Sequence, residues 1–280
     1  MTLEATRRLP PELVEHARTF LAGGQSPVTP KGAATVLLLR DGAEGPEVYL
    51  LRRHRAMAFA AGMYAFPGGT VDRRDSDTAV AWAGPPPATW AQTLTCDEAE
   101  ARALVCAAVR ETFEESGVLL AGQSEDSLVS DTTADDWERD RVALVDRSLS
   151  FADLLAKRGL VLRSDLLRAW AHWITPEFEP RRYDTRFFLA VIPSGQRTRD
   201  VSGEADQVVW MRPADACAGV DEGAMAMLPP TYVTVSELAT YATPGEALAA
   251  AEHRTVTTVT PGVEIIDGEG FLVVDDGARW

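Results

Sequence analysis

Glu111, Glu114 and Glu115 stand three and four residues apart in the run Arg110-Glu111-Thr112-Phe113-Glu114-Glu115-Ser116-Gly117-Val118. On a helix that turns by about 100° per residue, this spacing gathers three carboxylates on one face. Like charges so close repel by about a few tenths of a kcal/mol per pair on an open helix, and a hard divalent cation, which takes oxygen ligands, reverses that cost. A glutamate-rich face is otherwise simply a solvated one. The context upstream weighs against that plain alternative. A short apolar run from Met63 to Phe66 ends in Pro67-Gly68-Gly69, a turn without side chains where backbone can approach a metal ion or a phosphate closely.

The helix that must carry the three acids is legible on both sides of them. Asp97, with Glu100 three residues on, has the form of a capping box, and Gly117 provides a residue able to take positive φ at the far end. Between them Val105, Ala108, Val109, Thr112 and Phe113 recur at helical spacing and predict a buried stripe, with the glutamates on the opposite side.

Around this helix the pattern alternates. Pro10-Pro11 and the residues to Gly23-Gly24 read as a first helix packed on the rim of the domain. Residues 33–39 (AATVLLL) and 48–51 (VYLL), separated by the turn-rich DGAEGPE, read as a hairpin. Residues 70–96, with prolines at 85, 86 and 87, read as a loop-rich, exposed insertion. Helices are predicted around 137–145 and 151–157, and strands at 171–174, 184–192 and 207–211. Two further helices, in VSELATYA and PGEALAAAEH, and a terminal hairpin complete the chain. The order predicts an α/β fold with a mixed sheet flanked by helices.

With 280 residues, of which 46% are hydrophobic and 25% charged, the chain is long enough to bury a substantial core without disulfide support. A formal net charge of −15 argues against a nucleic-acid polymer as partner, since neutralising a phosphate backbone takes a basic surface. No stretch approaches the roughly 18 apolar residues of a membrane span, and the first residues lack an apolar secretory core, so no membrane partner and a cytoplasmic location are expected. Cys96, Cys106 and Cys217 lack metal-ligand spacing, the four histidines are scattered, and no serine sits in a G-x-S-x-G elbow. Cysteine-ligated zinc and serine-hydrolase chemistry therefore have little support.

The chain resembles the Nudix hydrolase family, whose signature is G-x5-E-x7-R-E-U-x-E-E-x-G-U, with U a bulky apolar residue. Gly69 matches the first glycine, Arg110-Glu111 the RE pair, Glu114-Glu115 the EE pair, Gly117 the last glycine and Val118 the final apolar residue; Thr112 departs from its apolar position. A surplus of 27 residues between Gly69 and Arg110 splits the box. Counted back from Arg110, the middle glutamate falls on Arg102, with Glu98 and Glu100 only near it, so the middle acid is without a clear equivalent. The split box, FPGG, the segment WITPEFEPRRYDTRFFLAVIP and the strand GEADQVVWM are similar to the branch related to peroxisomal coenzyme A diphosphatases, over roughly residues 32–240.

This resemblance implies a Nudix-type α/β/α sandwich spanning the 280 residues as one domain, with a core at about 32–240, an insertion at about 70–96 and a C-terminal extension at about 244–280. It implies Mg²⁺ or Mn²⁺ on Glu111, Glu114 and Glu115 beside Gly69, water attack on the diphosphate of a small nucleoside diphosphate derivative, and a homodimer. Coenzyme A or acyl-coenzyme A leads as substrate, with ADP-ribose, NADH and nucleotide sugars behind it, and a nucleotide sensor without catalysis is the rival from another class. Arg110 either orients a carboxylate by a salt bridge or is a plain surface arginine. Glu204, before the 207–211 strand, is either general base or extra ligand, or a solvent-facing loop acid. Gly68, together with one or two of Arg53, Arg181, Arg182 and Arg186, is expected at the substrate phosphates. Trp173, Tyr183 and Phe187 either stack on an adenine ring or belong to the core.

Overall fold

The computed structural model describes residues 9–23, 26–56, 60–199 and 205–274. Its frame is a mixed sheet built on two long strands, β1 (Lys31–Gly42) and β2 (Gly45–Arg53), which form the expected hairpin across a two-residue loop. Val36 to Leu39 and Val48 to Leu51 are buried without alternation, as in strands covered by helices on both faces. Two short strands, β3 (Tyr64–Ala65) and β4 (Gly68–Thr70), pair with β2 and β1 respectively.

Beyond β4 the chain makes a 3-10 turn (Arg73–Ser76), the short strand β5 (Trp82–Ala83) and helix α2 (Pro87–Leu94), α1 being Pro11–Leu21. Helix α3 (Glu98–Ser116) carries the three glutamates, followed by β6 (Ala121–Gly122), α4 (Asp135–Val145), α5 (Phe151–Arg158) and β7 (Val161–Arg163). Strands β8 (Arg168–Ile174), β9 (Tyr183–Val191) and β10 (Ala205–Met211) complete the body of the sheet. Helices α6 (Pro213–Asp221), α7 (Pro229–Leu238) and α8 (Pro244–Glu252) precede β11 (Thr258–Val259) and the hairpin of β12 (Gly262–Ile266) and β13 (Glu269–Val273).

The sheet runs β10-β2-β1-β9-β8-β11, parallel at β1/β9 and β8/β11 and antiparallel elsewhere. One core lies between the sheet and α2, α3 and α5, around Leu104, Phe113, Leu154 and Phe188. A second lies on the other face against α6, α7 and α8, around Trp170, Val235 and Leu238. Each fully buried large apolar side chain contributes about 1.5–3 kcal/mol, so the two layers fix the sheet from both sides. This is the expected α/β/α sandwich. Helix α1 lies on the β12–β13 hairpin, where Leu9 N–H donates to Gly270 O at 2.9 Å. Among the described residues no helix is long and apolar enough to cross a membrane.

Two expectations need correction. The 70–96 segment is not uniformly loop-rich and exposed: Trp90 and Leu94, four residues apart on α2, are 5% and 3% exposed and pack towards α3, with the Trp90 ring edge-on to Phe188 at 5.7 Å. The prolines that suggested a loop instead start the helix, because proline at the first helical position loses no hydrogen bond. At Asp97 only half of the capping box forms, the carboxylate accepting the Glu100 N–H at 2.8 Å. The reciprocal box stands at Asp72 and Asp75, on the 3-10 turn.

Candidate active site

Helix α3 sets Val105, Ala108, Val109, Thr112 and Phe113 into the core, all at most 1% exposed, and this fixes the rotation that turns the three glutamates towards β4. The positive φ of Gly117 (76°) ends the helix, its N–H bonding to Phe113 O at 2.9 Å. An edge-on contact of Phe113 with Trp137, centroids 6.1 Å apart, ties α3 to α4.

The glycine pair meets the acids directly. Gly68 N–H donates to Glu115 Oε2 at 2.7 Å. A Cβ at Gly69 would come within 2.4 Å of Glu111 Oε1, and one at Gly68 within 2.5 Å of Thr35 Oγ1 and 2.6 Å of Ala34 O. Backbone therefore excludes a side chain at Gly68, while a side chain at Gly69 would have to push the Glu111 carboxylate out of its place.

Arg110 knits the cluster together. Its Nη1 donates to Glu111 Oε1 at 2.7 Å and to Glu114 Oε1 at 3.2 Å, while Nε and Nη2 each donate to a different oxygen of Asp75 at 2.9 Å. Nη2 also reaches Thr70 O at 3.1 Å. A planar fork of five donors suits this task, whereas a lysine would offer a single point of charge. Of the two open alternatives for Arg110, the structure shows the salt bridge.

Asp75, only 2% exposed, is the residue that sequence reasoning missed. The signal was there: counting forward from Gly69 across five intervening residues, the middle acid of the signature falls on Asp75. Counting back from Arg110 crosses the insertion and loses it. The surplus residues therefore lie after Asp75.

Burial pushes the Glu111 carboxyl up to about 7, with Glu114 and Asp75 pushing the same way and Arg110 opposing. Glu114 is also raised, again chiefly by burial and against Arg110. For Arg110 burial works against the charge, but the bond to Asp75 and the attraction of the neighbouring carboxylates outweigh it and hold the guanidinium ionised. Asp75, Glu111 and Glu114 set three carboxylates against one guanidinium, more negative charge than Arg110 alone offsets.

Among the described residues, no three acidic, histidine or cysteine side chains already converge on one point as metal ligands. The bonds above account for it, since Glu111 and Glu114 turn to Arg110 and Glu115 to the Gly68 amide. The donor set nonetheless fits a hard cation: oxygen donors only, partly shielded from solvent, on the wall of one cleft, with charge left to neutralise.

That cleft has a volume of about 460 Å³. Arg53, Gly68, Gly69, Arg110, Glu111, Glu114 and Glu115 all line it, as the sequence led one to expect, and Arg74 and Arg147 add positive charge that sequence reasoning did not single out. Arg182 and Arg186 do not reach it. Arg182 is spent on backbone, donating to Thr175 O at 3.0 Å and Val28 O at 2.8 Å. Arg186 is 4% exposed and pairs with Asp184 and His172. Side chains alternate along β9, so Tyr183 and Thr185 line the cleft and Asp184 and Arg186 turn to the other face. Arg181 is exposed and outside the cleft lining, and Glu204 lies outside the described residues.

Comparison with known proteins agrees with this geometry. A family model described as the NUDT19 Nudix domain matches residues 91–238, a stretch that contains Arg110 and the three glutamates and begins after Gly68, Gly69 and Asp75. Acyl-coenzyme A diphosphatase NUDT19 of Xenopus laevis is 24% identical over 239 residues, covering 70% of this chain and 60% of that protein. The Homo sapiens protein of the same name is 28% identical over 238 residues, covering 71% and 62%. The chain thus spans about 60% of the length of these curated relatives. Among solved structures, a NUDIX hydrolase from Alicyclobacillus acidocaldarius superposes with a TM-score of 0.67 at 27% identity, covering 79% of this chain and 96% of that one.

Proposed function

The chain belongs to the Nudix hydrolases, in the family of the NUDT19 Nudix domain, and from that premise we propose that it hydrolyses the diphosphate linkage of a nucleoside diphosphate derivative, with coenzyme A or acyl-coenzyme A as the leading substrate. The observation that carries this reading is the acid cluster clasped by Arg110 against a glycine pair, where a side chain at Gly68 would meet backbone and one at Gly69 would displace the Glu111 carboxylate. The names of the curated relatives favour the coenzyme A class; ADP-ribose, NADH and nucleotide sugars share the same scissile bond.

Glu111, Glu114 and Glu115 would hold Mg²⁺ or Mn²⁺. What such a cation supplies when bound is Lewis-acid neutralisation of the diphosphate oxygens. The chain's own groups do the rest. Arg110 and the Gly68 amide hold the carboxylates side by side on the cleft wall, and these bonds would be exchanged for the cation when it binds. Arg53, Arg74 and Arg147 place guanidinium groups on a cleft wall that also carries Asp72, and once a cation takes up the charge of the acid cluster these groups would attract an anion that the net charge of −15 repels. Glu204 keeps its place as a proposed general base.

Product identification by mass spectrometry tests this directly. With Mg²⁺ or Mn²⁺ present, coenzyme A, acetyl-coenzyme A, ADP-ribose, NADH and UDP-glucose are offered in turn, and cleavage of at least one into two phosphomonoesters is expected. No product from any of them with either cation overturns the proposal.

Glu111 gives the cation assignment its own pH signature. Its carboxyl, normally near 4.5, is pushed up to about 7 in the folded chain, so the folded state binds the proton more tightly than the unfolded one. Stability of the cation-free protein therefore declines as pH climbs from about 4.5 towards about 7, and a cation replaces the lost proton. The rise in Tm on adding Mg²⁺ is expected to be larger at pH 8 than at pH 5.5. Equal shifts at the two pH values would remove Glu111 from the cation site.

A further inference from the structure

Two of the three acids sit on the last turn of α3. Glu114, Glu115 and Ser116 end the helix, and the carbonyls of a final turn have no intrahelical donor, so this is the part that frays first. It is also the negative end of the helix dipole, where carboxylates are disfavoured. The acids therefore stand where the helix alone holds them least, and the missing donors come from other elements. Glu114 O accepts from Arg141 Nη1 at 2.7 Å, Ser116 O from the Arg199 N–H at 2.9 Å and Gly117 O from Thr132 Oγ1 at 2.7 Å, while the Tyr49 hydroxyl lies 3.4 Å from Glu115 O. Of these donors the Arg141 guanidinium is the charged one. It is 6% exposed and comes from α4, 27 residues further along the chain. Its other nitrogens are locked on Glu138, Nε donating to Oε2 at 2.9 Å and Nη2 to Oε1 at 2.7 Å. Helix α4 itself is pinned on two sides, by the contact of Trp137 with Phe113 and by Asp140, which accepts from Lys157 Nζ at 2.6 Å and Arg158 Nε at 2.7 Å.

We propose that Arg141 is a positioning residue for the cation site: by gripping the Glu114 carbonyl it holds the last turn of α3, and with it the carboxylates of Glu114 and Glu115, at the cleft wall. This rests on the cation reading of the acid cluster and extends it to a residue outside the cleft lining, one that acts through backbone and not on substrate. The charge of Arg141 pulls the other way. It opposes the upward push of burial on the Glu114 carboxyl, and a positive group so placed repels a cation bound there. The two effects predict opposite signs when the residue is replaced: loss of the charge alone tightens cation binding, and loss of the grip weakens it.

Mn²⁺ affinity, read without substrate from the free-ion signal in electron paramagnetic resonance, separates the two. Arg141→Met keeps the apolar stem and is expected to bind Mn²⁺ about tenfold more weakly than wild type despite losing a positive charge, within the range seen for outer partners of metal ligands. Arg141→Lys keeps the charge but gives up the planar fork, so it is expected to fall between the two, about threefold weaker than wild type. Asp140→Asn is the control. It breaks the tie between α4 and α5 without touching α3, and should lower Tm while leaving Mn²⁺ affinity unchanged. Unchanged or tighter binding in Arg141→Met, wild-type affinity in Arg141→Lys, or a loss in Asp140→Asn as large as that in Arg141→Met would each overturn the assignment. Should the methionine variant fail to fold, the lysine variant decides alone. A wild type that binds no Mn²⁺ sinks the cation reading and this inference with it. A wild type that binds Mn²⁺, and loses it as expected in the variants, yet cleaves none of the candidate substrates leaves this inference standing and sinks the diphosphatase.

Discussion

Glu115→Gln leaves the fold intact and lowers turnover by at least about a hundredfold, the upper end of what losing a group that merely supports a metal ligand costs. The substitution keeps volume and keeps an oxygen able to accept the Gly68 N–H, now bonded to Glu115 Oε2 at 2.7 Å. Only the negative charge goes. Arg110 bridges Glu111 and Glu114, so changing either of those also disturbs the network it forms with Asp75, whereas Glu115 is not bound by Arg110 and accepts the Gly68 N–H. A loss of rate at Glu115 can therefore be read as a loss of charge in the cleft. Steady-state rates on whichever substrate the wild type cleaves, with Tm beside them, give the answer. Turnover within about threefold of wild type at unchanged Tm would mean that the acid trio is a solvated face after all.

How much of this was legible in the sequence depends on the range of the contacts involved. The stripe from Val105 to Phe113 and the acids opposite it follow from helical periodicity alone, and the structure puts both where that periodicity places them. Arg186 fails for want of phase: a strand shows which residues share a face, but not which face meets the cleft until the neighbouring strands are in place. Arg182 fails for want of range, because the Val28 carbonyl that absorbs it lies 154 residues away. Trp90 and Leu94 carried a helical signal of their own, hidden by three prolines that also start helices. Asp75 is the instructive miss. Its type and its distance from Gly69 were in plain view, and only the direction of counting across the insertion concealed it.

Asp75→Asn then separates the two roles of that residue. The carboxylate takes two bonds from Arg110 and one from the Asp72 N–H at 2.7 Å, all at a position 2% exposed. Breaking a buried ion pair commonly costs about 3–5 kcal/mol, because one charge is left uncompensated. Here Arg110 keeps Glu111 and Glu114, and removing Asp75's charge relieves its repulsion of both, so a net loss of about 1–3 kcal/mol in urea unfolding is expected instead. The larger effect falls on the cation. Freed from Asp75, the guanidinium is left to Glu111 and Glu114 alone and competes harder with a cation for the same oxygens, while the cluster has lost a negative charge that attracted one. Both changes act in the same direction. The Mg²⁺ concentration at half-maximal activity should rise by about tenfold or more, within the range seen when outer partners of metal ligands are removed. A variant that is less stable but keeps the wild-type Mg²⁺ dependence would show that Asp75 merely anchors the 3-10 turn and does not set the geometry of the site.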